Sequence, residues 1–401
     1  MSELLAPAGT FEKLKWAVTY GSDAVYFGIE SFSLRSHAGN FSMDDVQKGM
    51  TYLRQNNKKG YVTLNIYPWS HEYDNLIQAA HTLEEIGVDA FIISDLGVLF
   101  ALKNNHIKTP IHISTQANTV SYQTVLAYLT LGANRINLAR ELSLNQIIDI
   151  QSQIHHHAIE TEVFIHGSVC FSYSGRCAIS DYMTGRKANR GECTHPCRWK
   201  YYLVEEQRPG EYLPVFEDDR GYYLMNAKEL ALFPFVPELK RIGVNSFKIE
   251  GRMKSIHYIA SIVAFYRHVL DGHIYSEEDG LRYLERISNR GYSYGFMKGG
   301  ISHEDYAIDS QQSVSTALFV GNIIESSDSE NAILEVRNTI HAGETLELMQ
   351  PSGEIKPYTL PKLLSLTDQS IVKTANHGRF VQLDEDIPAY SIFRRIEKNC
   401  T

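Results

Sequence analysis

Long apolar runs are missing from this 401-residue chain, and no stretch approaches the roughly 20 consecutive apolar positions of a membrane-spanning helix. The opening MSELLAPAGTFEK lacks a basic segment followed by an apolar core, so no secretory leader is expected and the cytoplasm is the expected compartment. Positive charge is also in short supply. A formal net charge of -9 argues against a uniformly basic nucleic-acid protein, while leaving room for a local basic surface. Neither an HExxH zinc-protease motif nor a GxSxG nucleophile elbow occurs. Cysteine is scarce, with five in all, yet four of them fall within the 28 residues from Cys170 to Cys197.

The first 300 residues alternate short apolar runs with amphipathic ones, the pattern of βα units around a parallel sheet. Strands are expected at 4–6, 24–27, 61–66, 90–93, 111–114, 135–138, 162–166 and 246–249, with helices such as 44–54, 75–86 and 145–153 between them. Eight strands make a (β/α)8 TIM-like barrel the economical α/β architecture. About 80 residues separate the seventh strand from the eighth, and all four clustered cysteines lie in this insertion, about 167–245. Loops that follow barrel strands gather at the C-terminal face, where barrel active sites form, so the insertion is expected to build a site. Beyond it, apolar residues at 256, 259, 263, 266 and 270 predict a helix that closes the barrel, which then occupies residues 1–300. From about 305 to 401, short β-like segments separated by turns such as HAGE and PSGE predict a small all-β barrel or sandwich.

The cysteine spacing is C-x6-C-x15-C-x3-C, over Cys170, Cys177, Cys193 and Cys197. In a reducing compartment such a cluster favours metal ligands or catalytic thiols over disulfides. Only the second pair fits a zinc knuckle, and ferredoxin spacings do not match, so the spacing says metal without naming it. Buried free thiols are the alternative, disfavoured by the polar, glycine-containing context. Around these cysteines, from Gly167 to Lys200, stand six basic residues and two acidic ones, interleaved with Phe171, Tyr173, Tyr182 and Trp199. Arg176, Arg198 and Trp199 could hold phosphates and stack on an unpaired base of a single-stranded loop. A solvated basic patch with its aromatics packed inward fits the same residues.

The run EVFIHGSVCFSYSGRCAIS, from Glu162 to Ser180, resembles the signature of the U32 peptidase-like family. Glu162, Phe164, Gly167, Ser168, Cys170, Gly175, Cys177 and Ser180 each match its pattern. LLAPAG, GSDAVYFG, ISTQ, GECTHPCRW, FKIEGRMKS and NRGYSYGF agree as well, so the likeness covers about three quarters of the chain. It implies a [4Fe-4S] cluster held by Cys170, Cys177, Cys193 and Cys197, although NAKELA places Ala231 where some relatives carry a cysteine. Within the family the sequence looks most like the tRNA-hydroxylation subgroup. That likeness implies oxygen insertion at the wobble uridine of tRNA to give 5-hydroxyuridine, with the anticodon loop as partner and prephenate as co-substrate. The alternatives are a U32-type, collagenase-like peptidase, with His166 the nearest partner for an activated thiol, and a metal-stabilised RNA-binding or other hydroxylation accessory protein.

Polar residues at strand ends supply further candidates. His112, Ser114 and Gln116 alternate along the fifth strand, and His166, Lys248, Glu250 and Arg252 lie at or just beyond the ends of the seventh and eighth. As a catalytic and substrate-binding set they suit a dicarboxylate such as prephenate, with Arg252 or Lys248 pairing a carboxylate. As structural residues they suit a buried ion-pair network, such as Lys248 with Glu250. Arg290, in NRGYSYGF, either wraps a ligand or turns the chain. His155, His156 and His157 read as a surface turn.

Overall fold

The structure, a computed structural model, describes residues 2–30, 32–33, 40–169, 179–186, 193–194, 196, 203–204, 212–213, 216–218, 221–223, 228–300, 314–327 and 331–397. It divides into two compact units.

The first unit, built from residues 1–18, 22–254 and 290–313, contains a closed parallel barrel. Its strands are β1 (Glu3–Pro7), β2 (Ala24–Gly28), β3 (Lys59–Leu64), β4 (Ala90–Ile93), β5 (Ile111–Ile113), β6 (Arg135–Asn137), β7 (Glu160–Ser168) and a closing strand, Ser246–Ile249. The closing strand pairs in parallel with both β1 and β7, so the sheet has no free edge at that point. Six helices follow the first six strands: Phe11–Thr19, Met43–Gln55, Tyr73–Ile86, Leu96–Asn104, Tyr122–Thr130 and Leu144–Ile154. Their starts are locally encoded, since Ser42 and Ser143 form capping boxes with Asp45 and Gln146, and the Asp95 carboxylate accepts from the Val98 amide. The eight barrel strands and the intervening helices thus follow the βα alternation of the sequence.

Strand β7 runs past the barrel rim. Its last residues, His166, Gly167 and Ser168, pair antiparallel with the short strand Glu229–Ala231, through which the insertion returns. The register of β7 against the closing strand shifts between Lys248 and Ile249, where one extra β7 residue is accommodated. Gly167 follows this bulge at φ +114, and a Cβ there would stand 2.7 Å from the Glu250 carbonyl oxygen. The glycine of the signature is therefore required by both backbone conformation and close approach.

Barrel interiors are usually filled by branched apolar side chains. Here Leu5, Tyr26, Tyr61 and Ile92 share the interior with charge. Arg135 on β6 reaches across to Glu3 on β1 at 2.5 Å and also pairs Glu160 at 2.6 Å and Glu162 at 3.5 Å. Lys248 pairs Glu162 at 2.7 Å, while Tyr61 and Ser246 hydroxyls donate to Glu3 at 2.6 and 2.8 Å. Of the two readings of Lys248, ligand contact or a buried ion pair such as one with Glu250, the structure shows an ion pair, but with Glu162, which lies on the adjoining strand and faces the interior.

The second unit comprises residues 19–21, 255–289 and 314–401. Eight strands form an antiparallel sheet around Val320, Leu334, Leu348, Val381 and Phe393. The helix Ile256–Leu270 belongs to this unit, where His257 stacks on Phe319 with ring centroids 5.3 Å apart. Arg394, fully buried, pairs Glu347 at 2.5 Å and reaches Ser261 of the helix at 3.5 Å.

Replacing Arg135 with methionine leaves Glu3 and Glu162 buried without their shared cation. The expected loss is about 3–5 kcal/mol, read from chemical denaturation of wild type and variant; a loss below about 1 kcal/mol would show that the carboxylates find other partners.

Candidate active site at the barrel mouth

Three sets of side chains stand at the C-terminal ends of the strands. The first centres on Arg252, just past the closing strand. Its Nη1 donates to Ser33 Oγ at 2.8 Å and to Thr63 Oγ1 at 3.2 Å, and its carbonyl accepts from Lys13 Nζ at 3.5 Å. Gly28, at the end of β2, makes room for this guanidinium: a Cβ there would lie 2.4 Å from Arg252 Nη1 and 2.4 Å from Ser33 Oγ.

The second set centres on Gln116, in the short turn Thr115–Ala117 beyond β5. Its Oε1 accepts from Ser94 Oγ at 2.7 Å, Asn65 Nδ2 at 2.8 Å and Ser114 Oγ at 3.2 Å. Tyr67 donates its hydroxyl to the Gln116 carbonyl at 3.1 Å. Three donors on one amide oxygen fix the orientation of the group, so its NH2 end is presented as a donor. Arg252 and Gln116 together make the mouth rich in fixed donors, which suits a ligand rich in acceptor oxygens.

The third set surrounds Ser168, two residues before Cys170. Arg140 Nη1 donates to the Ser168 carbonyl at 3.0 Å, and Arg290 Nη2 lies 3.5 Å from its hydroxyl. Glu229, opposite Ser168 in the antiparallel pairing, is buried and paired with Lys254 at 2.8 Å. Arg290 is thus brought to the start of the cysteine-bearing segment.

The other expected residues separate by depth. Lys248 lies lower, its Nζ 4.5 Å from the Tyr26 ring centroid; burial lowers its basicity and Glu162 opposes that effect. His112 also lies lower, its ring 4.8 Å from that of Tyr61, and burial first, then the Arg135, Lys248 and Lys59 cations, hold it neutral. Glu250 is at the rim, its backbone N donating to the His166 carbonyl at 2.8 Å. His166 is buried at the end of β7, 5.7 Å from the Tyr292 ring; burial and the nearby Lys254 cation push its pKa down to about 3. Of the cysteines, Cys193 is exposed. Cys170, Cys177 and Cys197, together with Arg176, Arg198 and Trp199, lie outside the described residues. Among the described residues, no three histidine, cysteine or acidic side chains are arranged to hold a metal ion, and no helix is long and apolar enough to cross a membrane.

Sequence reasoning passed over Ser33, Thr63, Asn65, Tyr67, Ser94 and Arg140. The signal for two of them was present: Thr63 and Asn65 are polar residues two apart in the apolar run YVTLNI, the same alternation that drew attention to His112, Ser114 and Gln116.

The profile of peptidase family U32 matches residues 9–306, and that of the peptidase family U32 C-terminal domain matches residues 315–394. The chain belongs to peptidase family U32. It is 36% identical to the tRNA hydroxylation protein P of Escherichia coli, over 95% of this chain and 93% of that one. Identity with the tRNA hydroxylation protein P1 of Bacillus subtilis is 34%, over 89% and 86% of the two chains. The 23S rRNA 5-hydroxycytidine C2501 synthase of Escherichia coli is 36% identical over 69% of this chain and 40% of its own length.

The buried imidazole of His166 gives a pH signature with a definite sign. An unfolded histidine takes up its proton near pH 6.5, whereas His166 resists doing so down to about 3. Stability contributed by this group is therefore present above pH 6.5 and lost as pH falls below it. Between pH 6.5 and 5 the expected loss is about 2 kcal/mol, and a His166→Phe variant should lose correspondingly less in parallel melts; equal slopes for the two proteins would show that His166 does not carry the effect. Gly28→Ala should push Arg252 off Ser33, visible as a shifted guanidinium resonance or side-chain position.

Proposed function

We propose that this protein hydroxylates the wobble uridine of tRNA to 5-hydroxyuridine, with a cysteine-bound [4Fe-4S] cluster and with prephenate as co-substrate. The observation that carries the tRNA-hydroxylation reading is the 36% identity, over 95% of this chain, with the Escherichia coli tRNA hydroxylation protein P. The relative named for 5-hydroxycytidine synthesis in ribosomal RNA supports the same class of reaction. The proposed compartment is the cytoplasm, where charged tRNA is found.

Cys170, Cys177, Cys193 and Cys197 would hold the cluster, and the fit rests on donor chemistry: four thiols within 28 residues. When bound, the cluster supplies redox chemistry that side chains lack. The residues of the barrel have a separate task. Arg252, presented over Gly28, is suited to pair a carboxylate of the co-substrate, and the oriented NH2 of Gln116 to donate to a second acceptor oxygen. Arg140 and Arg290 position the strand end from which the cysteine segment departs.

The test is a comparison of tRNA nucleosides from a strain lacking the gene, with and without the cloned protein. Wild type should restore 5-hydroxyuridine, and Cys170→Ala and Arg252→Ala should each reduce it at least ten-fold; undiminished hydroxyuridine in the deletion strain lacking any parallel pathway would overturn the reading. Anaerobic purification should give a brown protein containing iron and sulfide. Cleavage of denatured collagen by a colourless, metal-free preparation would favour the peptidase reading that the family name suggests.

A further inference from the structure

The face of the barrel that carries Arg252 and Gln116 also carries exposed apolar side chains. Trp69, Leu96, Val120 and Met253 are 51%, 54%, 47% and 55% exposed, and each sits in a segment that leaves a barrel strand at its C-terminal end. The topology alone therefore assigns them to the rim around the donor-lined mouth.

Trp69 is the one aromatic residue among these four, and its backbone is held in place. Its N–H donates to the Glu72 carboxylate at 2.6 Å, and its carbonyl accepts from the Glu72 N–H at 2.9 Å, which closes a tight turn. The root of the same segment is tied to the mouth: Tyr67 donates to the Gln116 carbonyl at 3.1 Å and Asn65 to its amide oxygen at 2.8 Å. A half-exposed indole on a fixed turn, joined through two residues to an oriented amide donor, is a preformed surface. By contrast, Trp16 is only 2% exposed and serves the core.

We propose that Trp69 is a stacking platform for an unpaired base of a single-stranded RNA loop, held while a neighbouring nucleotide enters the mouth. An unpaired uracil, as in the loop proposed here, has a flat face and an edge with two carbonyl acceptors. The rim offers an aromatic face, and the mouth behind it offers the Gln116 and Arg252 donors, so the complementarity extends to both parts of such a ligand. A double helix offers neither a free face, because its bases are stacked, nor a free Watson–Crick edge, because they are paired. The inference rests on the RNA-modification reading and adds to it the residue that grips the substrate.

The experiment uses the full chain, purified anaerobically, and a stem-loop RNA of anticodon-arm size with a uridine-containing loop. Fluorescence anisotropy of labelled RNA reports affinity and tryptophan emission reports stacking. Wild type should bind with quenching. Trp69→Ala should bind at least ten-fold more weakly, as the loss of one base–aromatic stack implies, and Trp69→Phe should recover most of that loss. The dependence of binding on salt should stay the same in Trp69→Ala, since no phosphate contact is removed. Its melting temperature should be unchanged, which separates a lost platform from a damaged fold. Equal affinity of wild type and Trp69→Ala for the stem-loop would overturn the platform and leave the RNA reading standing. Failure of wild type to bind any stem-loop would overturn both.

Discussion

The barrel depends on a buried exchange of charge between strands that are distant in sequence. Glu3 and Glu162 face Arg135 and Lys248 in its interior, with the half-exposed Glu160 at the margin. Taking four charges out of water is costly, and the attraction among them compensates only when every partner is in place. Arg135 can meet Glu3 only if β1 and β6 stand across a closed ring, and Lys248 can meet Glu162 only in one register of the last two strands. A barrel open by one strand, or slipped by one residue, would leave a charge alone in the core. We regard closure and register as the properties this network secures, whatever its net contribution to stability.

Above that floor the interior changes character with height. Charged pairs give way to neutral hydrogen-bonding side chains, Thr63, Ser94, Ser114 and Asn65, and these give way to donors aimed at the mouth, Gln116 and Arg252. Each layer orients the next. The lower lysine is occupied by its carboxylate, whereas the guanidinium of Arg252 stands beyond the end of the closing strand, on the hydroxyls of Ser33 and Thr63. His166, held neutral by burial, can accept or donate a hydrogen bond but carries no charge at physiological pH. Small residues serve this arrangement by omission: without the space at Gly28, the arginine could not lie where it does.

Much of the barrel was legible in the sequence because alternation of two periods, helical and extended, is a local property. Strand 90–93 and the closing strand 246–249 were readable to the residue, the first as the short apolar run AFII and the second as the alternating SFKI, each set off by turn residues. Contacts across strands were less legible. Lys248 and Glu250 share a face by their spacing, and that suggested a pair. Nothing local reveals that Glu162, 86 residues away, comes closer. The helix 256–270 shows a second limit. Apolar residues at 256, 259, 263, 266 and 270 marked the helix, yet thirteen of its fifteen residues are buried, including Ser261 and His257, so that stripe understates what it packs against. A polar residue inside an apolar helix was the signal for the contact with Arg394.

The signature itself divides into parts with different physical reasons. Glu162 belongs to the charged floor, Phe164 underlies the Arg140 and Lys248 cations, Gly167 allows the approach of the Glu250 backbone, and Ser168 is gripped by Arg140 and Arg290. None of these needs a metal to explain it. They form a mounting that launches the chain from the end of β7 in one direction, immediately ahead of Cys170. The antiparallel strand Glu229–Ala231 pairs with this same stretch, so the two ends of the insertion are tied side by side at the rim. The first seven residues of the signature, Glu162 to Ser168, are therefore explained by the strand that carries them and by the side chains that hold its end.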